Sequence, residues 1–72
     1  MKSLEVNNRF EEEVIIDILL LDDGKHVKLS FSNITDEPVF NYSTHKGKEK
    51  LESYLSKSFL PEAVNNIVKL LN

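Results

Sequence analysis

Cysteine is missing from this chain, which excludes disulfides and thiolate metal sites together and suits a reducing, cytoplasmic compartment. Glycine occurs only at 24 and 47, so no Gly-x-x-x-x-Gly-Lys-Ser/Thr nucleotide loop can be assembled. No long hydrophobic run exists: the longest uninterrupted apolar stretch, Ile18 to Leu21, is far too short to cross a bilayer. The opening residues Met1 to Val6 likewise carry no apolar run of signal-peptide length. Positive charge is not in excess. Nine basic residues stand against twelve acidic ones, a net charge of −3, with the deficit concentrated in residues 1–36. A polyanion or a membrane is therefore not the expected partner.

What is present is a chain of 72 residues, room for one domain spanning 1–72. Folding at this size buries roughly 60% of the unfolded chain's surface. A core alone then supplies about 3–5 kcal/mol, and with no disulfide or metal the remaining support is self-association. Lys, Asn, Ser, Ile and Leu are abundant while Ala occurs once, which points to an AT-rich coding sequence and a phage or mobile element of a low-GC bacterium as its source.

The clearest local signal is a β-hairpin at 14–33. Val14-Ile15-Ile16-Asp17-Ile18-Leu19-Leu20-Leu21 is rich in β-branched residues, and Val27-Lys28-Leu29-Ser30-Phe31-Ser32 alternates apolar with polar. Between them Asp23-Gly24 predicts a two-residue type I′ turn, with Asp22 opposite Lys25. That register places Val14, Ile16, Ile18 and Leu20 with Val27, Leu29 and Phe31 on one apolar face, the expected core. The other face carries Ile15, Asp17, Leu19 and Leu21 beside His26, Lys28, Ser30 and Ser32.

Residues 3–12 admit two readings. Leu4 and Val6 alternate with Ser3 and Glu5 as in a strand, whereas Val6, Phe10, Val14 and Ile18 recur every four residues as in a helix. After Pro38, Val39 to Ser43 can add a short strand with Phe40 and Tyr42 on one side. Leu51, Tyr54, Leu55 and Phe59 then follow helical spacing, Lys48 and Glu52 offer an i,i+4 pair, and Pro61 opens a second helix striped by Val64, Ile67, Val68 and Leu71. The fold class is α+β: an antiparallel sheet of three to four strands, its central hairpin at 14–33, packed against C-terminal helices at about 46–58 and 61–71.

Candidate chemistry is sparse. Asp17, Asp22, Asp23 and His26 approach a metal-ligand set, but the spacing fits a hairpin turn better than a cation loop. His26 and His45 are the two histidines, the residue type suited to general acid-base work, but Ser43-Thr44-His45 are merely consecutive, with no orienting carboxylate implied. No catalytic residue, metal or cofactor is expected, and the chain reads as a non-enzyme. His45, Lys46, Lys48 and Lys50 cluster around Gly47 at the start of the first helix, and with Phe40 and Tyr42 they form a candidate anion or single-strand nucleic-acid patch. Glu11-Glu12-Glu13 reads as a solvated acidic run.

The outer hairpin face is the more informative surface. Ile15, Leu19 and Leu21 have no apolar residues opposite them, and each buried Leu or Ile is worth roughly 1.5–3 kcal/mol. Either the N-terminal segment folds across them through Leu4, Val6 or Phe10, or another chain does, a second copy or a different protein. The expected interaction surface is Ile15, Leu19 and Leu21 rimmed by Asp17, His26 and Lys28. The expected role is protein interaction, as a regulator or inhibitor.

Overall fold

A computed structural model describes residues 2–71. Four strands, β1 (Lys2–Asn7), β2 (Glu13–Leu20), β3 (His26–Phe31) and β4 (Val39–Asn41), are followed by two helices, α1 (His45–Ser56) and α2 (Pro61–Lys69). The strands lie side by side in chain order, each antiparallel to the next. This is the α+β architecture the sequence predicts, with both helices on one face of the sheet.

The hairpin has the predicted register: Leu20 pairs with Val27, Ile18 with Leu29 and Ile16 with Phe31. Strict alternation in β2 and β3 sends Val14, Ile16, Ile18, Val27, Leu29 and Phe31 into the core, where they meet Leu51, Leu55, Phe59, Val64 and Ile67 from the helical half. Leu4, Val6, Phe40 and Tyr42 pack at its margins. Phe31 stacks on Phe59 with ring centroids 6.2 Å apart, tying the end of the hairpin to the α1–α2 junction.

Leu20 departs from the predicted core and is 43% exposed. The reason is positional. The described β1–β2 register ends at Lys2 opposite Ile18, and Leu20 is the last residue of β2, at the rim of the sheet.

The turn itself differs from the predicted type I′. Leu21 N–H donates to His26 O at 2.9 Å and Gly24 N–H to Leu21 O at 3.1 Å, so Asp22 to Lys25 all lie in the loop. Gly24 takes φ 68° but Asp23 does not share the positive φ that a type I′ turn demands. Asp23 acts through its side chain instead: Oδ1 accepts the N–H groups of Lys25 (2.8 Å) and His26 (3.0 Å), and the other carboxylate oxygen meets His26 Nδ1.

Of the two readings of residues 3–12, the strand is correct and the four-residue helical period is coincidental. β1 ends at Asn7 and the chain reverses around Asn8, which is 6% exposed and acts as the hub of the turn. Its Oδ1 accepts N–H from Phe10 (2.9 Å) and Glu12 (3.0 Å), its Nδ2 donates to Glu12 Oε1 (2.9 Å), and its backbone carbonyl accepts from Glu11 (3.1 Å). Glu11 sits at φ 62°, a left-handed conformation unusual for a side-chain-bearing residue. The adjacent Arg9 ties this loop to the end of α1, its N–H donating to Ser58 O (2.7 Å) and its Nε to Ser56 O (3.0 Å).

The helices begin and end within two residues of the predicted bounds. Thr44 Oγ1 caps α1 by accepting Gly47 N–H at 3.0 Å, and Pro61 opens α2 where its missing N–H costs nothing. Tighter turns carry the chain past both C-termini, through Lys57 to Tyr54 O and Leu71 to Val68 O.

Candidate interaction surface

On the face opposite the helices, side chains fall in rows set by the pairing register. Glu5 stands beside Ile15; Ser3 beside Asp17 and Ser30; Leu19 beside Lys28 and Val39. Leu21 and His26 continue the alternation beyond the last strand pair through the Leu21–His26 hydrogen bond. No helix packs on this face among the described residues, and the N-terminal segment does not fold across it. Leu4 and Val6 point to the core side, and Phe10 is 79% exposed at the loop.

The rows divide the predicted stripe in two. Ser3 Oγ donates to Asp17 Oδ1 (2.6 Å) and Ser30 Oγ to Glu37 Oε2 (2.8 Å), so a hydrogen-bonded polar row runs across the middle of the sheet. Ile15, 48% exposed, lies on one side of it. Leu19, Leu21 and Val39 lie on the other, with the stems of Lys28 and His26 between them. Val39, 50% exposed, was not among the residues sequence reading assigned to this surface. Its signal was the β3–β4 register, which depends on how many residues the loop after Phe31 consumes.

The electrostatics of this end are set by Asp23. Its carboxyl is lowered from the usual 3.8 to about 2, chiefly by the Lys25 backbone N–H, then by the His26 side chain and backbone. No group of three or more His, Cys, Asp or Glu residues that could hold a metal occurs among the described residues, Asp17 and Asp22 included. No protein-family model, curated protein or solved structure matches the chain.

The basic cluster at α1 is divided by the helix itself. Lys46 and Lys50, four residues apart, share a groove of about 280 Å³ with Phe40, Val39, Asn41 and His26. Lys48 projects to another side, lining a groove of about 220 Å³ with Tyr42, Glu52 and Leu71. His45 Nε2 pairs with Glu49 Oε1 at 2.6 Å; Lys48 and Glu52 make no ion pair among the described residues. Both aromatics are engaged within the fold: Phe40 packs on Tyr54 with centroids 5.4 Å apart, and Tyr42 Oη donates to Gly24 O at 3.0 Å. Burial, helped by the charge of Asp36, raises the Tyr54 phenol above its ordinary 10. Ser43 and Thr44 are likewise occupied, Ser43 with Asn41 Oδ1 and Thr44 as the helix cap. None of the described helices is long and apolar enough to cross a membrane.

Proposed function

We propose that the chain is a non-enzymatic protein-interaction module of the cytoplasm, a regulator or inhibitor, which binds its partner through the outer face of the sheet. The observation that carries this reading is the apolar group of exposed Val39 and half-buried Leu19 and Leu21, on a face that no second layer covers among the described residues. In so small a domain, covering Val39, 50% exposed, returns about 1 kcal/mol, and the residual exposed surface of Leu19 and Leu21 adds to it, an inducement to association. Asp17, Lys28 and His26 around the group supply a polar rim that fixes orientation. The absence of cysteine fits the compartment, and the composition fits a phage or mobile element as source.

The test is capture from a low-GC bacterial host lysate with wild-type bait against Leu19→Asp and Val39→Asp baits. A partner retained by wild type and lost by both variants, with unchanged circular dichroism, supports the reading. Identical capture by all three baits refutes it.

The groove that joins Phe40 to Lys46 and Lys50 gives a second reading, single-stranded nucleic-acid binding, a specific geometric basis. It demands salt-dependent binding of single-stranded DNA or RNA that a Lys46→Glu/Lys50→Glu variant abolishes, and no binding at low salt removes it.

A further inference from the structure

Sheets end in edges, and the two edges of this one are treated differently. Beyond β4, which has three residues, the start of α1 presses so closely that the Gly47 Cα lies against Asn41 O. β1 has six residues, no proline and an unbroken register with β2. The direction of its backbone groups follows from the neighbouring pair. Leu21 N–H donates to His26 O and Ser32 N–H to Ile15 O, so odd-numbered residues of β2 address β3 and even-numbered ones address β1. In β1, Lys2, Leu4 and Val6 oppose those even residues and turn inward. Ser3, Glu5 and Asn7, all exposed, direct their N–H and C=O groups away from the sheet, and these groups have no backbone partner among the described residues. The edge has neither a bulge nor a proline; of the usual edge protections it carries only the charges of Lys2 and Glu5.

Beside this edge, on the helix side, Val6 of β1 and Leu60 and Ala63 at the start of α2 line a groove of about 400 Å³. Two acidic residues, Glu11 and Glu62, also line it, and no basic residue does.

We propose that β1 pairs antiparallel with β1 of a second copy about a twofold axis, joining two sheets into one of eight strands with all four helices on the same side. The occupant follows from register and charge. Opposed residues of antiparallel strands share a face, so outward residues must meet outward residues, and a twofold axis leaves two central registers. One sets Glu5 against Glu5, like charges directly opposite, which is destabilising. The other sets Leu4 against Leu4, pairs Ser3 with Glu5 on both sides of the axis, and places Lys2 opposite the partner's Val6. Lys2 then stands at the acidic groove of the other copy, where Glu11 and Glu62 have no cationic partner among the described residues. In the single chain its Nζ donates to Leu70 O at 2.8 Å, an exposed bond that it exchanges for the groove. Each copy thus completes the other's groove.

The test is sedimentation from about 10 μM to about 1 mM, with amide exchange by NMR over the same range. The expected result is a reversible dimer in which the Ser3 and Glu5 amides gain protection with concentration while Leu4 and Val6 are protected throughout. Glu5→Pro removes an outward N–H and no hydrogen bond of the sheet, so it gives a monomer with native circular dichroism. Lys2→Glu weakens the dimer at least tenfold, and Lys2→Glu/Glu62→Lys restores it, which covers the case in which the proline variant fails to fold. A wild type that stays monomeric over the range, or a dimer with Ser3 and Glu5 amides unprotected, overturns the proposal. So does a dimer abolished by Leu19→Asp, because the copies would then meet through the outer face. That variant separates the two proposals: it removes partner capture and leaves the edge dimer intact.

Discussion

Replacing Gly47 by alanine sets two effects of opposite sign against each other, and the structure decides the winner. In an unconstrained helix the change is favourable by about 1 kcal/mol, because alanine loses less backbone entropy. Gly47, however, is buried where α1 meets β4, and a Cβ placed on it lies 1.8 Å from Asn41 O, 2.8 Å from Asn41 C and 2.9 Å from Thr44 Oγ1. Ordinary contact begins near 3.4 Å, so the first turn of α1 must move away from the strand by about 1.6 Å. That movement strains the Thr44 cap, worth about 1 kcal/mol, and opens a packed contact whose overfilling costs about 1–3 kcal/mol. The net expectation is a loss of roughly 2 kcal/mol, about half of what a core this size supplies. Equilibrium urea denaturation reads it directly: with a slope near 1 kcal/mol/M for a small domain, the midpoint falls by about 2 M. Lys48→Ala, one residue along on an exposed position, should stay within about 0.5 kcal/mol of wild type. A Gly47→Ala midpoint equal to or above wild type would refute the close approach of α1 to β4.

Asn8→Ala removes a buried hub of hydrogen bonds from the β1–β2 reversal, and thermal denaturation should show a loss of about 2–3 kcal/mol. At the two left-handed positions the signs diverge: Glu11→Gly should stabilise by about 0.5–1 kcal/mol, whereas Gly24→Ala should cost about 1 kcal/mol and Gly24→Asn much less. Because the folded Asp23 carboxyl lies near 2, below its unfolded value, its contribution to stability is complete above about pH 4 and is lost as pH falls through 2. An NMR titration should place its midpoint near 2, and Asp23→Asn should flatten the acid limb of the stability curve; a midpoint near 4 would contradict the turn geometry.

Most of the sheet could be read from side-chain alternation, because a period of two leaves a single choice of face once Ile16, Ile18, Leu29 and Phe31 are assigned to the core. The turn type could not, since Asp-Gly serves both a two-residue turn and a wider loop in which the aspartate side chain does the bonding. Nothing in the sequence marks Asn8 for burial; it is buried because Arg9 draws the loop down onto the end of α1. The candidate surface was legible in part. Ile15, Leu19 and Leu21 follow from the hairpin alone, but their separation by the Ser3–Asp17 bond needed the position of β1. Val39 needed the length of the β3–β4 loop. The lysine cluster was misleading as a cluster, because residues 46, 48 and 50 are adjacent in the sequence yet are divided between two grooves by the helical twist.

The agreement between chain order and strand order has a consequence for synthesis on the ribosome. Each strand meets the one before it as it emerges, so the four-stranded sheet can assemble early from local pairings. The helices that cover Val14, Ile16 and Leu29 are made last. Until they emerge, the nascent sheet has both faces bare and the β1 edge unpaired, the condition in which chains aggregate. The acidic excess of residues 1–36 belongs to this exposed interval, giving the half-made protein like charge while its core is still open to water.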